Sequence, residues 1–148
     1  MNRPTRVVVV DDEAAILVAI GALLSQDGYE VATYGSPTAA FEACVRRPPA
    51  FLVTDLQMSA MSGAELATSL RIELGPRSPK IVCVTGWITA LRPAQRQMFD
   101  RVIERPFAYG DLLQILEELG APSVRKPSGV RLRVPWLSRA EEPDEAAG

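Results

Sequence analysis

The sequence predicts an α/β fold, in which an open five-stranded parallel sheet carries helices on both faces. Five short apolar runs alternate along the chain with segments whose apolar residues recur at helical spacing. Strands that alternate with helices in this way join in parallel through helical crossovers. The composition agrees with this fold, because 47% of the 148 residues are hydrophobic and 23% are charged, as in ordinary globular domains.

The predicted strands are short apolar runs bounded by polar residues or turn formers. The first contains four valines in succession, which is typical of a buried parallel strand. The second is less apolar and is predicted to lie near an edge of the sheet. In chain order, the predicted strands span residues 6–10, 29–34, 50–54, 80–84 and 101–104.

The predicted helices lie between these strands and have recognisable start and stop signals. Gly28 is suited to the left-handed cap that ends the first helix, and Ser36 is placed to cap the second. Ser62 and Glu65 have the spacing of a capping box at the start of the third. The helices are predicted over residues 13–26, 36–46, 62–74, 90–100 and 111–119, the fourth interrupted by a proline and the last capped by Asp111.

The chain divides into a predicted domain over residues 1–120 and a tail over residues 121–148. Residues 122–139 contain five basic residues and no acidic one, whereas residues 141–148 contain four acidic residues and no basic one. This segment has no core of its own, so a solvated, flexible tail is predicted. Its basic part, with Trp136, could instead contact a partner or nucleic acid. It has no helix-turn-helix pattern and is too short for a DNA-binding domain, so direct DNA binding is not expected.

The absence of histidine excludes several classes of site. With no His, the chain cannot form a Ser-His-Asp triad, a Cys-His pair, a histidine zinc site or a phosphohistidine carrier. Cys44 and Cys83 lie in apolar segments without metal-binding partners nearby, so we expect two buried, unpaired cysteines. The polar N-terminus and the lack of a long apolar run predict a cytoplasmic protein without a membrane segment.

Polar side chains follow four of the predicted strands at the point where each strand ends. These residues are Asp11 and Asp12, then Asp55, Thr85 and Arg105. The carboxyl ends of parallel strands meet at one edge of the sheet, where ligands bind in folds of this class. Three neighbouring carboxylates repel one another unless a counter-charge balances them, and all-oxygen ligands suit Mg²⁺ or Mn²⁺ rather than zinc. A carboxylate beside such a cation can act as a nucleophile toward a phosphoryl group.

Two other phosphate-related functions fit this arrangement less well. Phosphatases of the haloacid dehalogenase type place two Asp residues one apart after the first strand, where this chain has Asp11 and Glu13, so we reject that reading. A flavodoxin shares the sheet, but three acids at the strand ends would repel the phosphate of FMN.

Four segments together resemble the receiver domain of bacterial two-component response regulators. They are VVVVDDE at residues 7–13, LVTDLQMSAMSG at 52–63, VCVTG at 82–86 and VIERPF at 102–107, and the resemblance covers about residues 4–120. It implies a flavodoxin-like strand order 2-1-3-4-5 and a phosphoacceptor that works with Mg²⁺ rather than an enzyme. The implied partners are a sensor histidine kinase or phosphotransfer protein and a downstream protein target, with a homodimer as a phosphorylation-dependent state.

The resemblance also assigns roles to individual residues. Asp55 matches the acceptor of the phosphoryl group, and Thr85 matches the hydroxyl residue that turns toward it. Asp12 matches a direct Mg²⁺ ligand and Asp11 a carboxylate that acts mainly through water. The backbone carbonyl of Gln57 is implied as another ligand.

Three residues depart from the family pattern. Arg105 stands where the family has Lys; it keeps the charge but is longer and forked. Ser59 replaces a Pro in the loop after Asp55, and Val102 replaces the aromatic residue of the fifth strand. These departures support an alternative, a receiver-like binding module that acts without phosphorylation. Trp87 is predicted either to cover the site or form a partner contact, or to be a partly exposed aromatic residue of the loop.

Overall fold

Five strands form one parallel sheet: β1 (Arg6–Val10), β2 (Glu30–Tyr34), β3 (Phe51–Asp55), β4 (Lys80–Thr85) and β5 (Arg101–Glu104). Their order in the sheet is β2-β1-β3-β4-β5, which confirms the predicted fold class and strand order. The structure, a computed structural model, describes residues 3–123. The predicted tail therefore lies outside the described residues from position 124 onward.

The register of the sheet aligns the carboxyl ends of the strands at one edge. Val10 at the end of β1 pairs with Tyr34 of β2 and Thr54 of β3, so the residues after β1 lie beside the end of β3. Asp55 pairs with Val84 of β4, and Thr85 pairs with Glu104 of β5. The polar residues singled out in the sequence consequently share this edge.

Within residues 3–123, four α-helices connect the strands and a fifth follows β5: α1 (Ala14–Gln26), α2 (Pro37–Arg46), α3 (Gly63–Leu74), α4 (Pro93–Arg96) and α5 (Tyr109–Glu118). The predicted caps of α2 and α3 are present. The Ser36 hydroxyl accepts a hydrogen bond from the Ala39 N–H at 3.3 Å. Ser62 and Glu65 form a reciprocal capping box, with bonds of 3.1 and 2.9 Å. Such caps satisfy backbone N–H groups that have no partner within the helix.

Two hydrophobic layers cover the two faces of the sheet. Val7 and Val9 of β1 face a layer to which α1 and α5 contribute, for example through Leu24 and Leu116. Val8 and Val10 face the opposite layer, built on α2 and α3. This alternation follows from the two-residue period of side chains along a strand. It confirms that helices cover both faces and that the four valines of β1 are buried at the centre of the sheet.

The fourth predicted helix is wrong in extent. The sequence predicted a helix over residues 90–100, but α4 covers only Pro93–Arg96, after a short 3₁₀ turn at Ile88–Ala90. The chain beyond α4 is bound to α3. The Arg71 guanidinium of α3 donates to the Met98 carbonyl at 2.9 Å and to Asp100 at 3.0 Å. Asp100 also accepts the Ile81 N–H at 2.7 Å. These contacts fix the approach to β5 in a non-helical conformation.

The start of α5 also differs from the prediction. The helix begins at Tyr109 with Ala108 as its N-cap, so Asp111 lies in the first turn and is not the cap. A carboxylate in the first turn is stabilised by the positive end of the helix dipole. Asp111 is therefore a signal of a helix start even though it is not the cap. The peptide bond between Arg105 and Pro106, just before α5, is cis.

The predictions for the two cysteines and for Gly28 are confirmed. Cys44 and Cys83 are both buried and unpaired. Gly28 and Gly120 follow α1 and α5 with φ angles of 94° and 119°, the left-handed region that favours glycine. No helix within residues 3–123 is long and apolar enough to cross a membrane.

Candidate functional site

Three carboxylates converge at the carboxyl edge of the sheet. Asp11 and Asp12 directly follow β1, and Asp55 is the last residue of β3. One carboxylate oxygen from each lies within 4.8 Å of the other two. Asp11 is buried and Asp12 is exposed, so the cluster has a closed side and a side open to solvent. The structure therefore brings together the three acids that the sequence singled out.

Asp11 is held in place by the backbone around it. Its Oδ1 accepts the Glu13 N–H at 2.8 Å, and its own N–H donates to the Tyr34 carbonyl at 3.2 Å. Burial raises the pKa of Asp11 from 3.8 to about 6, although the hydrogen bond from Glu13 and the charge of Arg105 oppose the rise. The charged form of this carboxylate is thus costly without a further cation.

Asp55 has a similar environment with a closer counter-charge. Burial raises the pKa of its carboxyl, and the neighbouring Arg105 guanidinium opposes that rise. Arg105 Nη2 donates to Asp55 Oδ1 at 2.8 Å, the shortest contact between a cation and the three acids. The carboxylate that the sequence proposed as acceptor is therefore ion-paired in this structure.

The Arg105 guanidinium forms ion pairs with two other acids besides Asp55. Its Nη2 lies 3.5 Å from Asp11 Oδ2, and its Nη1 lies 3.6 Å from Glu13 Oε1. Its side chain is only 18% exposed. Sequence reasoning did not include Glu13 in the site. Its position two residues after Asp11 and directly after the acidic pair was the available signal. The longer, forked side chain of Arg makes this set of contacts feasible.

Thr85 is the last residue of β4 and follows Val84, which pairs with Asp55 across the sheet. Its hydroxyl is buried and accepts the Trp87 N–H at 3.1 Å, while its carbonyl accepts the Arg105 N–H at 2.8 Å. The two predicted site residues are thus joined through the backbone at the ends of β4 and β5. Trp87 is 68% exposed and lies in the loop after β4.

The start of α3 packs closely against the backbone of the loop after β3. Gly63 N–H donates to the Leu56 carbonyl at 2.8 Å, and a Cβ at residue 63 would collide with the carbonyl oxygen of Asp55. Glycine is needed here for close approach rather than for an unusual backbone angle. This contact determines the course of the loop that carries Gln57 past Asp55.

An open cleft adjoins the three acids on their exposed side. Its volume is about 540 Å³, and it is lined by Asp12, one of the three acids, and by Gln57. Ser59 and Ser62 line one wall, and Arg92 lies in the segment before α4. The cleft gives solvent and small solutes access to Asp12, the exposed acid of the cluster.

The arrangement fits a hard divalent cation. Carboxylate and carbonyl oxygens are the ligands that Mg²⁺ prefers, and it retains several waters when few protein ligands are present. The cluster supplies carboxylate oxygens from three residues, and Gln57 lines the adjoining cleft together with Asp12. A cation here would balance acids of which two have a raised pKa.

Comparison with known proteins matches residues 7–117 to the family model of the response regulator receiver domain. Transcriptional regulatory protein KdpE of Mycobacterium tuberculosis is 34% identical over 86 residues, which cover 58% of this chain and 32% of KdpE. This chain thus spans about a third of that relative. Response regulator receiver protein CpdR of Brucella abortus is 29% identical over 116 residues, covering 77% of this chain and 95% of CpdR.

Solved structures share the fold. A CheY-like response regulator receiver domain from Methylobacillus flagellatus superposes with a TM-score of 0.73 at 26% identity. The match covers 79% of this chain and 99% of that domain. Residues 7–117, which match the family model, contain every strand end that contributes to the site.

Proposed function

The chain belongs to the family of response regulator receiver domains of two-component systems, and we propose that it accepts a phosphoryl group on Asp55. The observation that carries the proposal is the convergence of three carboxylates within 4.8 Å, with the Arg105 guanidinium 2.8 Å from Asp55. Receiver domains are generally not catalytic enzymes, so the proposed role is that of a phosphoacceptor. The donor would be a sensor histidine kinase or a phosphotransfer protein.

Among the three acids, Asp55 is best placed to be the acceptor. Asp11 is almost fully buried and its Oδ1 is occupied by the Glu13 N–H, whereas Asp12 is exposed and has the position of a metal ligand. Asp55 ends the central strand β3, and its side chain is 11% exposed. Its carboxylate contacts the cation of Arg105 and lies within 4.8 Å of the exposed Asp12, which lines the cleft.

The proposed reaction transfers a phosphoryl group between two protein side chains. A carboxylate oxygen of Asp55 attacks phosphorus in line, an O–P bond forms, and the N–P bond of the donor phosphohistidine breaks. The imidazole leaves with the electron pair of that bond and takes up a proton. Mg²⁺, held by Asp11, Asp12, Asp55 and the Gln57 carbonyl, would neutralise charge on the phosphoryl oxygens.

The remaining site residues would hold the phosphoryl group after transfer. Arg105 is permanently charged and can donate two hydrogen bonds, so it can exchange its contact with the Asp55 carboxylate for phosphoryl oxygens. The Thr85 hydroxyl can donate one hydrogen bond while it still has acceptor capacity. These two side chains would therefore report the chemical state of Asp55 to the ends of β4 and β5.

The biological setting is also a proposal. We propose a cytoplasmic protein that signals through contacts with a downstream protein target, without direct DNA binding by residues 1–120. A homodimer formed on phosphorylation is a second form of output. The relatives named above include a transcriptional regulatory protein and a receiver protein of similar length, so the class of output does not follow from similarity alone.

Phosphate incorporation tests the proposal directly. The full chain, Asp55→Asn and the control Asp111→Asn would be incubated with a small phosphodonor and with candidate kinases, with Mg²⁺ or with EDTA. Asp111 is an exposed acid in the first turn of α5 and lies outside the site. The wild type and Asp111→Asn should incorporate phosphate only with Mg²⁺, and Asp55→Asn should incorporate none.

The same experiment distinguishes the alternative. Equal incorporation by the wild type and Asp55→Asn would show that another residue is the acceptor. No incorporation from any donor, together with target binding that is unchanged in Asp55→Asn, would favour the receiver-like module that acts without phosphorylation.

A further inference from the structure

The cleft beside the three acids lies between two segments of the chain. One is the loop that directly follows Asp55, and the other is the segment around the start of α4. Asp12 also lines the cleft, and one of its carboxylate oxygens lies within 4.8 Å of an Asp55 oxygen. The volume of about 540 Å³ is in the usual range of small-molecule pockets. The cleft therefore has room for a small solute next to the acids.

Arg92 provides a positive charge at this cleft. Among the described residues that line the cleft, it is the only basic one. It is exposed, and the ion pairs within residues 3–123 all involve other arginines. Because no carboxylate of these residues neutralises it, the Arg92 guanidinium is available to an anion in the cleft.

The backbone of Arg92 is fixed at the border of the cleft. Its N–H donates to Gln95 Oε1 at 3.0 Å, and its carbonyl accepts the Arg96 N–H at 2.9 Å. Leu91, the preceding residue, packs partly buried against the hydrophobic layer built on α2 and α3. The guanidinium thus extends from a backbone position that the fold determines.

We propose that Arg92 makes the site favour small phosphodonors that release a carboxylate, the acyl phosphates. This inference rests on the proposed phosphorylation of Asp55. A carboxylate oxygen of Asp55 attacks phosphorus, an O–P bond forms, and the P–O bond to the acyl group breaks. The carboxylate leaves with the electron pair of that bond and needs no proton.

The charge of the leaving group is what Arg92 would stabilise. Attack on phosphorus is in line, so the leaving oxygen lies on the side of phosphorus that faces away from Asp55. Negative charge develops on this oxygen as the P–O bond breaks. A guanidinium at the border of the cleft can donate to the oxygen in a charge-assisted hydrogen bond, which is stronger in the transition state than in the bound donor.

Phosphoramidate is the contrasting donor, because its nitrogen leaves as neutral ammonia. No negative charge develops on that leaving group, so the guanidinium has nothing comparable to stabilise. The ratio of the phosphorylation rates with an acyl phosphate and with phosphoramidate therefore reports on the leaving group. A general defect of the fold or of Asp55 slows both reactions and leaves this ratio unchanged.

The experiment measures phosphate incorporation with Mg²⁺ by intact mass at timed intervals, with acetyl phosphate and with phosphoramidate. It compares the full chain, Arg92→Ala, Arg92→Lys and the control Arg96→Ala. Arg96 is an exposed arginine of α4 that does not line the cleft. The ratio of the two rates should fall about tenfold in Arg92→Ala, the effect of losing one charge-assisted hydrogen bond. Arg92→Lys keeps the charge and should keep a ratio close to that of the wild type, as should Arg96→Ala.

The outcomes separate this inference from the proposed function. If Arg92→Ala is phosphorylated with the same ratio as the wild type, Arg92 does not act on the leaving group and the phosphoacceptor function stands. An equal fall of the ratio in Arg96→Ala would likewise overturn the role of Arg92. If a kinase phosphorylates Asp55 but neither small donor does, the cleft does not take small donors and only this inference fails. If no donor of any kind phosphorylates the wild type, the proposed function fails together with it.

Discussion

Replacing the buried carboxylate of Asp11 with the neutral amide of Asn should stabilise the fold at neutral pH. Asp11 is 3% exposed, and burial raises its pKa from 3.8 to about 6. A raised carboxyl pKa means that the folded state disfavours the charged form, so this group stabilises the fold when it is protonated. The stabilisation is complete below the unfolded pKa and is lost as the pH rises through the folded pKa. Asn keeps the oxygen that accepts the Glu13 N–H.

The size of the effect follows from these two pKa values. Because folding is linked to protonation, the free energy of unfolding is higher with a neutral side chain than with the titrating carboxyl. The difference is about 3 kcal/mol at pH 7 and about 1 kcal/mol at pH 4.5. These values already include the favourable charge interaction with Arg105 at 3.5 Å, because that charge is one of the influences that set the folded pKa of Asp11. The stabilisation should therefore shrink as the pH falls.

Urea unfolding in EDTA at several pH values between 4.5 and 8 measures this free energy for the wild type and for Asp11→Asn. The control Glu42→Gln removes an exposed acid in the middle of α2 and should change the free energy of unfolding by no more than about 0.5 kcal/mol at any of these pH values. A variant that is no more stable than the wild type at pH 7, or whose advantage does not shrink toward pH 4.5, would refute the reasoning about buried charge.

Three further predictions concern the site. Arg105→Lys should retain Mg²⁺-dependent phosphate incorporation, whereas Arg105→Ala should lose the phosphorylation-dependent change in amide exchange. Equal behaviour of both variants and the wild type would show that Arg105 has no role at the site. Asp12→Ala should weaken Mg²⁺ binding, measured by calorimetry, more than Asp11→Ala, since Asp12 is the proposed direct ligand; an unchanged affinity would contradict that coordination. Gly63→Ala should lower the free energy of unfolding by about 1–3 kcal/mol, because its Cβ collides with the carbonyl oxygen of Asp55; wild-type stability would show that α3 can shift freely.

The strands were predictable almost to the residue because their signal is local and strong. β1 matches the predicted residues 6–10, and β2 to β5 differ from their predictions by at most one residue at an end. Buried parallel strands are continuous apolar runs, and the turn formers beside them mark their ends. The convergence of Asp11, Asp12 and Asp55 follows from the same argument, since parallel strands end at one edge.

The region before β5 was not predictable in this way. The segment over residues 90–100 has helix-forming residues, but its conformation is decided by Arg71 of α3, which binds the carbonyl of Met98 and the carboxylate of Asp100. Such a tertiary contact between distant residues leaves no local pattern. The same holds for the reach of Arg105 to Glu13 and for the bond between Ile88 and Glu104. Long side chains choose partners by the three-dimensional arrangement of the strand ends.

Locating the phosphoryl group on the chain tests the central claim most directly. An aspartyl phosphate is an acyl phosphate, and borohydride reduces it to homoserine, which peptide mass spectrometry places at a single residue. After treatment with a phosphodonor and Mg²⁺, homoserine should appear at position 55 and nowhere else, and EDTA should abolish it. Homoserine at Asp11 or Asp12, or none at position 55 in a protein that has incorporated phosphate, would contradict the claim.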